Sequence, residues 1–108
     1  MIPLAIDYEK VTREDARLII LRALSEQTND SLASSTLEVV LDAFVIRKDR
    51  DWVHDQMAHL AEHGAITVVD AGTIRIGTIT QRGWRHLQRE LVLPGVKRPT
   101  VAIQRVIS

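Results

Sequence analysis

Residues 34 to 80, SSTLEVVLDAFVIRKDRDWVHDQMAHLAEHGAITVVDAGTIRIGTIT, constrain the fold most, because helical periodicity gives way to β-rich runs at one glycine. Leu37, Val40, Leu41, Phe44 and Val45 follow the i, i+3, i+4, i+7, i+8 spacing of a helix with one buried side. Ser35 and Glu38 form a capping-box pattern that predicts its start. After the basic link Arg47-Lys48, Asp49 predicts the cap of a second helix, which buries Val53, Met57 and Leu60. Gly64 predicts its end, as a C′ glycine does. Two β-rich runs follow, 65–69 and 73–79, and Asp70-Ala71-Gly72 between them is a hairpin signal. Helix, turn, helix, hairpin is the order of a winged helix-turn-helix. The predicted class is therefore α+β, mainly α: three helices, a two-stranded β-hairpin wing and a C-terminal helix.

The flanks extend this plan. Residues 1–11 read as an N-terminal arm, 12–93 as the winged-helix domain and 94–108 as a basic C-terminal tail. Thr12 predicts the cap of a helix running to about Gln27. In that helix Leu18, Leu21 and Leu24 share a side, and Ala16, Ile19, Ile20 and Ala23 widen the apolar surface. So broad a surface asks for cover from the core and from a second subunit, so a homodimer is expected. Thr28 to Ser34 reads as a polar connection. Thr80 predicts the cap of the last helix, with Trp84, Leu87 and Leu91 as its stripe and Gly83 as a weak point. Pro94-Gly95 ends it, and the tail beyond is either a mobile arm or a segment that docks on a neighbour.

No cysteine is present, which excludes a disulfide framework, a thiolate metal site and a cysteine nucleophile. The apolar runs are too short to span a membrane, and the N-terminus lacks the pattern of a secretory signal, so a cytoplasmic protein is expected. Net charge is zero but unevenly spread. Residues 1–70 hold 7 Lys and Arg against 13 Asp and Glu; residues 71–108 hold 7 against 1. The basic C-terminal part predicts a polyanion partner, or else pairing with the acidic part within a chain or across a dimer.

Double-stranded DNA is the polyanion that a helix-turn-helix suggests, yet the second helix is poorly equipped to read it. With Val53, Met57 and Leu60 inward, its outer face carries Asp51, Asp55, Ala58 and Glu62. Three carboxylates would face phosphates and the acceptor-rich edges of the major groove. Other groups suit backbone contact better. Arg47, Lys48 and Arg50 lie at the turn and a helix N-terminus, Gln56 on a flank and Arg75 in the hairpin. Arg82, Arg85 and Arg89 lie on the last helix, followed by Lys97 and Arg98. Under the alternative, a protein–protein interaction module that binds no nucleic acid, the contact residues are Asp51, Trp52, Asp55, Glu62 and Trp84.

Several chemical motifs are weighed and set aside. His59-Leu60-Ala61-Glu62-His63 matches an H-x-x-E-H zinc string. However, Gly64 stops the helix at once, and Glu90 is the one carboxylate beyond Asp70 to complete a site. The serines at 31, 34 and 35 have no histidine–acid arrangement legible in the sequence. There is no glycine-rich phosphate loop. No enzyme activity, cofactor or small-molecule substrate is expected.

Four stretches, EDARLIILRAL (14–24), LAEHGAITV (60–68), TITQRG (78–83) and PGVKRP (94–99), carry a family resemblance. The chain resembles small winged-helix proteins of Mu-like prophages, often described as phage proteins or transcriptional regulators. The resemblance implies a winged-helix fold and a phage origin, and it transfers no catalytic residue.

Overall fold

The computed structural model describes residues 5–104. Its elements are α1 (Tyr8–Ser25), β1 (Ser31–Ala33), α2 (Ser34–Ala43), α3 (Arg50–Glu62), β2 (Ile66–Ala71), β3 (Ile74–Ile79) and α4 (Gln81–Leu87). Four helices accompany an antiparallel sheet in the order β1-β3-β2. No helix among the described residues is long and apolar enough to cross a membrane.

α1 begins five residues earlier than a Thr12 cap suggests, because Asp7 is the cap and its side chain accepts from the Lys10 N–H at 3.1 Å. The expected arm is thus helical from Tyr8, while residues 1–4 lie outside the described residues. α1 buries Ala16, Ile20, Leu21 and Leu24 against Leu37 and Leu41 of α2 and Val53, Met57 and Leu60 of α3. The short β1, in a stretch that reads as a polar connection, exists through its partner: Ser31, Leu32 and Ala33 pair with Thr78, Gly77 and Ile76. A hydroxyl–hydroxyl bond of 2.6 Å between Ser31 and Thr78 reinforces that edge.

β1 runs straight into α2, so the capping box does not form. Ala33 stands at the N-cap without a side-chain bond, and Glu38 turns to Arg50 instead, 2.8 Å away. α2 is also shorter than its apolar spacing implies: it ends at Ala43 and leaves Phe44 and Val45 on the surface. α3 matches its sequence reading. Asp49 accepts from the Trp52 N–H at 2.9 Å, Val53, Met57 and Leu60 are buried, and Gly64 takes a left-handed φ of +73°.

The hairpin closes through two residues, Gly72 and Thr73, since Asp70 and Ala71 still pair with Arg75 and Ile74. α4 is capped by Thr80, which accepts from the Gly83 N–H at 3.2 Å. It stops at Leu87, short of the expected Leu91, and the chain turns back at Arg89 with φ 62°. Gly83 is a close-approach residue and not merely a weak one. A Cβ there would collide with the Ala65 carbonyl and lie 2.8 Å from Ile79 Cγ1.

The tail docks on its own chain as far as it is described. The Lys97 N–H donates to the Glu14 carbonyl at 3.2 Å and the Ile103 N–H to the Leu87 carbonyl at 2.9 Å. Leu93 and Val96 are buried. Residues 105–108, which include Arg105 of the basic count, lie outside the described residues.

Candidate functional site

The outward side of α3 is acidic: Asp51, Asp55 and Glu62 are exposed, with Ala58 between them. Gln56 does not flank this surface. It is 2% exposed, accepts from Arg17 Nε at 3.0 Å and donates to the Trp52 carbonyl at 3.1 Å. That corrects its assignment as a DNA contact, because a side chain bonded into the core meets no base. Arg17 completes the link by donating to the Gly95 carbonyl at 2.7 Å. Burial, reinforced by the charge of Arg13, lowers the Arg17 pKa, while Glu14 opposes the shift.

Most of the candidate cations face carboxylates of the same chain. Arg47 pairs with Asp42 at 3.0 Å, Lys48 with Glu9 at 3.6 Å and Arg50 with Glu38 at 2.8 Å. Arg75 pairs with Asp70 at 3.1 Å across the hairpin, Arg85 with Glu90 at 3.5 Å and Lys97 with Asp15 at 3.3 Å. Arg82 donates to the His63 carbonyl at 2.9 Å and Arg89 to the Thr100 carbonyl. The hairpin therefore carries no contiguous array of unpaired cations. A groove of about 510 Å³ beside α4 holds Arg85, but also Asp30 and Glu90.

The last helix and the tail nevertheless form one unit. His86 is buried and bonded at both nitrogens. The Leu93 N–H donates to Nδ1 at 3.0 Å, and Nε2 stands 2.9 Å from the Lys97 carbonyl, to which it donates. This pattern requires the neutral ring. Burial lowers the His86 pKa and the nearby Arg98 adds to that, against the opposing bond to Lys97. With the Arg89–Thr100 bond, it fixes exposed Arg82, Arg85, Arg89, Lys97 and Arg98 to a common scaffold.

The interaction candidates divide. Trp84 is buried and Ile20 fully so, which removes both from any docking surface. Trp52 is half-buried, with Lys48 Nζ 5.6 Å from its ring centroid. His59 and His63 stack with ring centroids 4.4 Å apart. His59 Nε2 donates to the Pro94 carbonyl at 2.8 Å, and His63 Nδ1 to the His59 carbonyl at 2.9 Å. No three His, Cys, Asp or Glu among the described residues gather as a metal site.

Sequence reasoning misses one polar junction. The Ser34 Oγ accepts from the Arg75 N–H at 3.0 Å and bonds His54 Nε2 at 2.8 Å, tying the start of α2 to β3 and α3. The distance resembles that of a nucleophile and its base, but Ser34 has no exposed surface and meets no substrate. Partners 41 and 20 residues away leave no local signal.

The described part is thus an α+β protein of four helices and a three-stranded antiparallel sheet, with an acidic outer face on α3 and exposed cations on α4 and the tail. No protein-family model and no solved structure matches the chain. It is 36% identical over 89 residues to "Uncharacterized protein gp26" of Escherichia phage Mu, covering 82% of this chain and 92% of that protein. The chain belongs to the family of this phage protein.

Proposed function

We propose that this chain is a winged-helix DNA-binding protein of phage that acts as a transcriptional regulator and grips duplex DNA by its phosphates, without base readout by α3. The element order α1-β1-α2-α3-β2-β3, with β1 joined to β3, supports the winged-helix reading. The observation that carries the DNA reading is the basic C-terminal unit, where the tail pinned to α4 holds Arg82, Arg85, Arg89, Lys97 and Arg98 on the surface. The ion pairs of Arg85 and Lys97 are exposed, and such pairs are worth about 0–1 kcal/mol, so a phosphate can displace either carboxylate. The carboxylates of α3 make groove insertion unfavourable, which limits recognition to backbone and shape.

Fluorescence anisotropy with a generic duplex at low salt tests this. Wild type binds, and replacing Arg85, Lys97 and Arg98 by alanine weakens binding and lowers the salt slope by roughly 0.9 for each phosphate no longer neutralised. Absence of binding at low salt, or an unaltered slope in the triple variant, rejects the reading. A protein–protein interaction module is the second reading. It is favoured by Asp51, Asp55 and Glu62, which make no ion pair among the described residues. A chain that ignores DNA but loses a protein partner on Asp51→Lys plus Asp55→Lys fits that module.

A further inference from the structure

Phe44 and Val45 are 60% and 74% exposed at the exit from α2, and Val39 on α2 is exposed as well. The turn does not present them by default. Val45 holds φ 62°, a left-handed conformation that branching at Cβ makes unfavourable, and the strained residue is one that points into solvent. Beside them, between α1 and α2, runs a groove of about 190 Å³ floored by Ile19, Ala23 and Val40, with Phe44 at its edge. A second hollow of about 310 Å³ lies against the same Phe44, bounded by Leu18, Ile19 and Ile46 on one side and by the Asp15–Lys97 ion pair on the other. An apolar knob thus stands between an apolar groove and a hollow of mixed lining on one face.

We propose that this face pairs with a second copy of the chain across a two-fold axis, with Phe44 of each protomer seated in the α1–α2 groove of the other. The knob and the hollow lie side by side on one surface, and a two-fold axis lets each copy supply both at once. The rim charges select the same occupant. Arg22 and Glu26 both border the groove, one turn apart on α1, and neither makes an ion pair among the described residues. When two copies of α1 run antiparallel, Arg22 faces the partner's Glu26 and the exchange repeats on the other side of the axis. The dyad thus satisfies both signs of charge with one pairing made twice. The α1–α2 groove that receives Phe44 contains none of the cations of α4 and the tail, and Lys97 borders only the second hollow, so the pairing is testable separately from DNA binding.

Sedimentation velocity on the full chain tests the pairing. Wild type is expected to sediment as a dimer at tens of micromolar, on the order of a standard protein–protein affinity. Phe44→Glu is expected to sediment as a monomer with an unchanged circular dichroism spectrum, since the side chain it replaces is on the surface. Arg22→Glu and Glu26→Arg are each expected to weaken the dimer at least about tenfold, and the double variant to recover it. A monomeric wild type at about 200 µM overturns the inference. So does an undiminished dimer in Phe44→Glu, or a double variant no better than either single one.

Discussion

The passages out of α2 and out of α3 are built by the same turn from different residues. After α2, Val45 N–H donates to the Asp42 carbonyl at 2.9 Å and Ile46 N–H to the Leu41 carbonyl at 3.0 Å. After α3, Gly64 N–H donates to the Ala61 carbonyl at 3.0 Å and Ala65 N–H to the Leu60 carbonyl at 2.9 Å. Both are Schellman closures, with left-handed φ of 62° at Val45 and 73° at Gly64. What differs is the cover. α4 lies over the second passage: Arg82 Cδ would sit 3.3 Å from a Cβ on Gly64, and Gly83 presses on Ala65. At the first, Phe44 and Val45 face solvent among the described residues. At the covered passage a Cβ in the left-handed position would have to push Arg82 aside by a few tenths of an ångström. An open one tolerates a strained valine, and keeps two apolar groups outward by doing so.

Substitutions that change the crowding should break this contrast. The largest effect is expected from Gly83→Ala, which forces a Cβ against Ala65 and Ile79. Overpacking of this kind costs about 1–3 kcal/mol, outweighing the roughly 1 kcal/mol that alanine gains in a helix. Urea unfolding will show it, and a stabilised variant would mean that α4 is free to back away. Gly64→Val comes next: left-handed strain of about 1–2 kcal/mol falls on a site already close to Arg82. Should that variant melt like wild type, the two passages are equivalent and the cover is irrelevant.

Val45→Gly sharpens the comparison from the open side. It relieves about 1–2 kcal/mol of strain and costs about 0.5–1 kcal/mol in unfolded-chain entropy, for a net gain of about 0.75 kcal/mol. The same change removes an exposed apolar group, so stability rises while self-association weakens, a combination that paired melts and sedimentation can detect. The smallest change is expected in the pH profile. The folded chain holds His86 neutral and resists protonation, whereas the unfolded chain takes up a proton near the ordinary value of 6.5. The unfolded state then binds more protons, so this contribution is complete above pH 6.5 and is lost as pH falls below it. In His86→Gln the decline of the urea midpoint between about pH 7 and 5.5 should flatten.

α3 was legible residue by residue. Asp49, the Val53–Met57–Leu60 spacing and Gly64 each act within a turn or two, so the chain's own geometry dictates what they do. From the same spacing follows the acidic outer face that argues against groove insertion. Its flank was less legible: Gln56 turns inward because Arg17, 39 residues away, needs an acceptor in the core. Nor does local pattern reveal β1, whose three residues become a strand by pairing with β3. The charge asymmetry was visible from composition alone, but most candidate cations turn out to face carboxylates of the same chain.

By itself, then, the sequence determined the helix–helix–hairpin plan, the inward side of α3 and its acidic outer face, since these depend on interactions a few residues apart. Tertiary structure alone decided the third strand, the Ser34 junction, the pinning of the tail by His86 and the exposure of Phe44. Each of these depends on which distant groups the folded chain brings together, or leaves uncovered, and no local period records that.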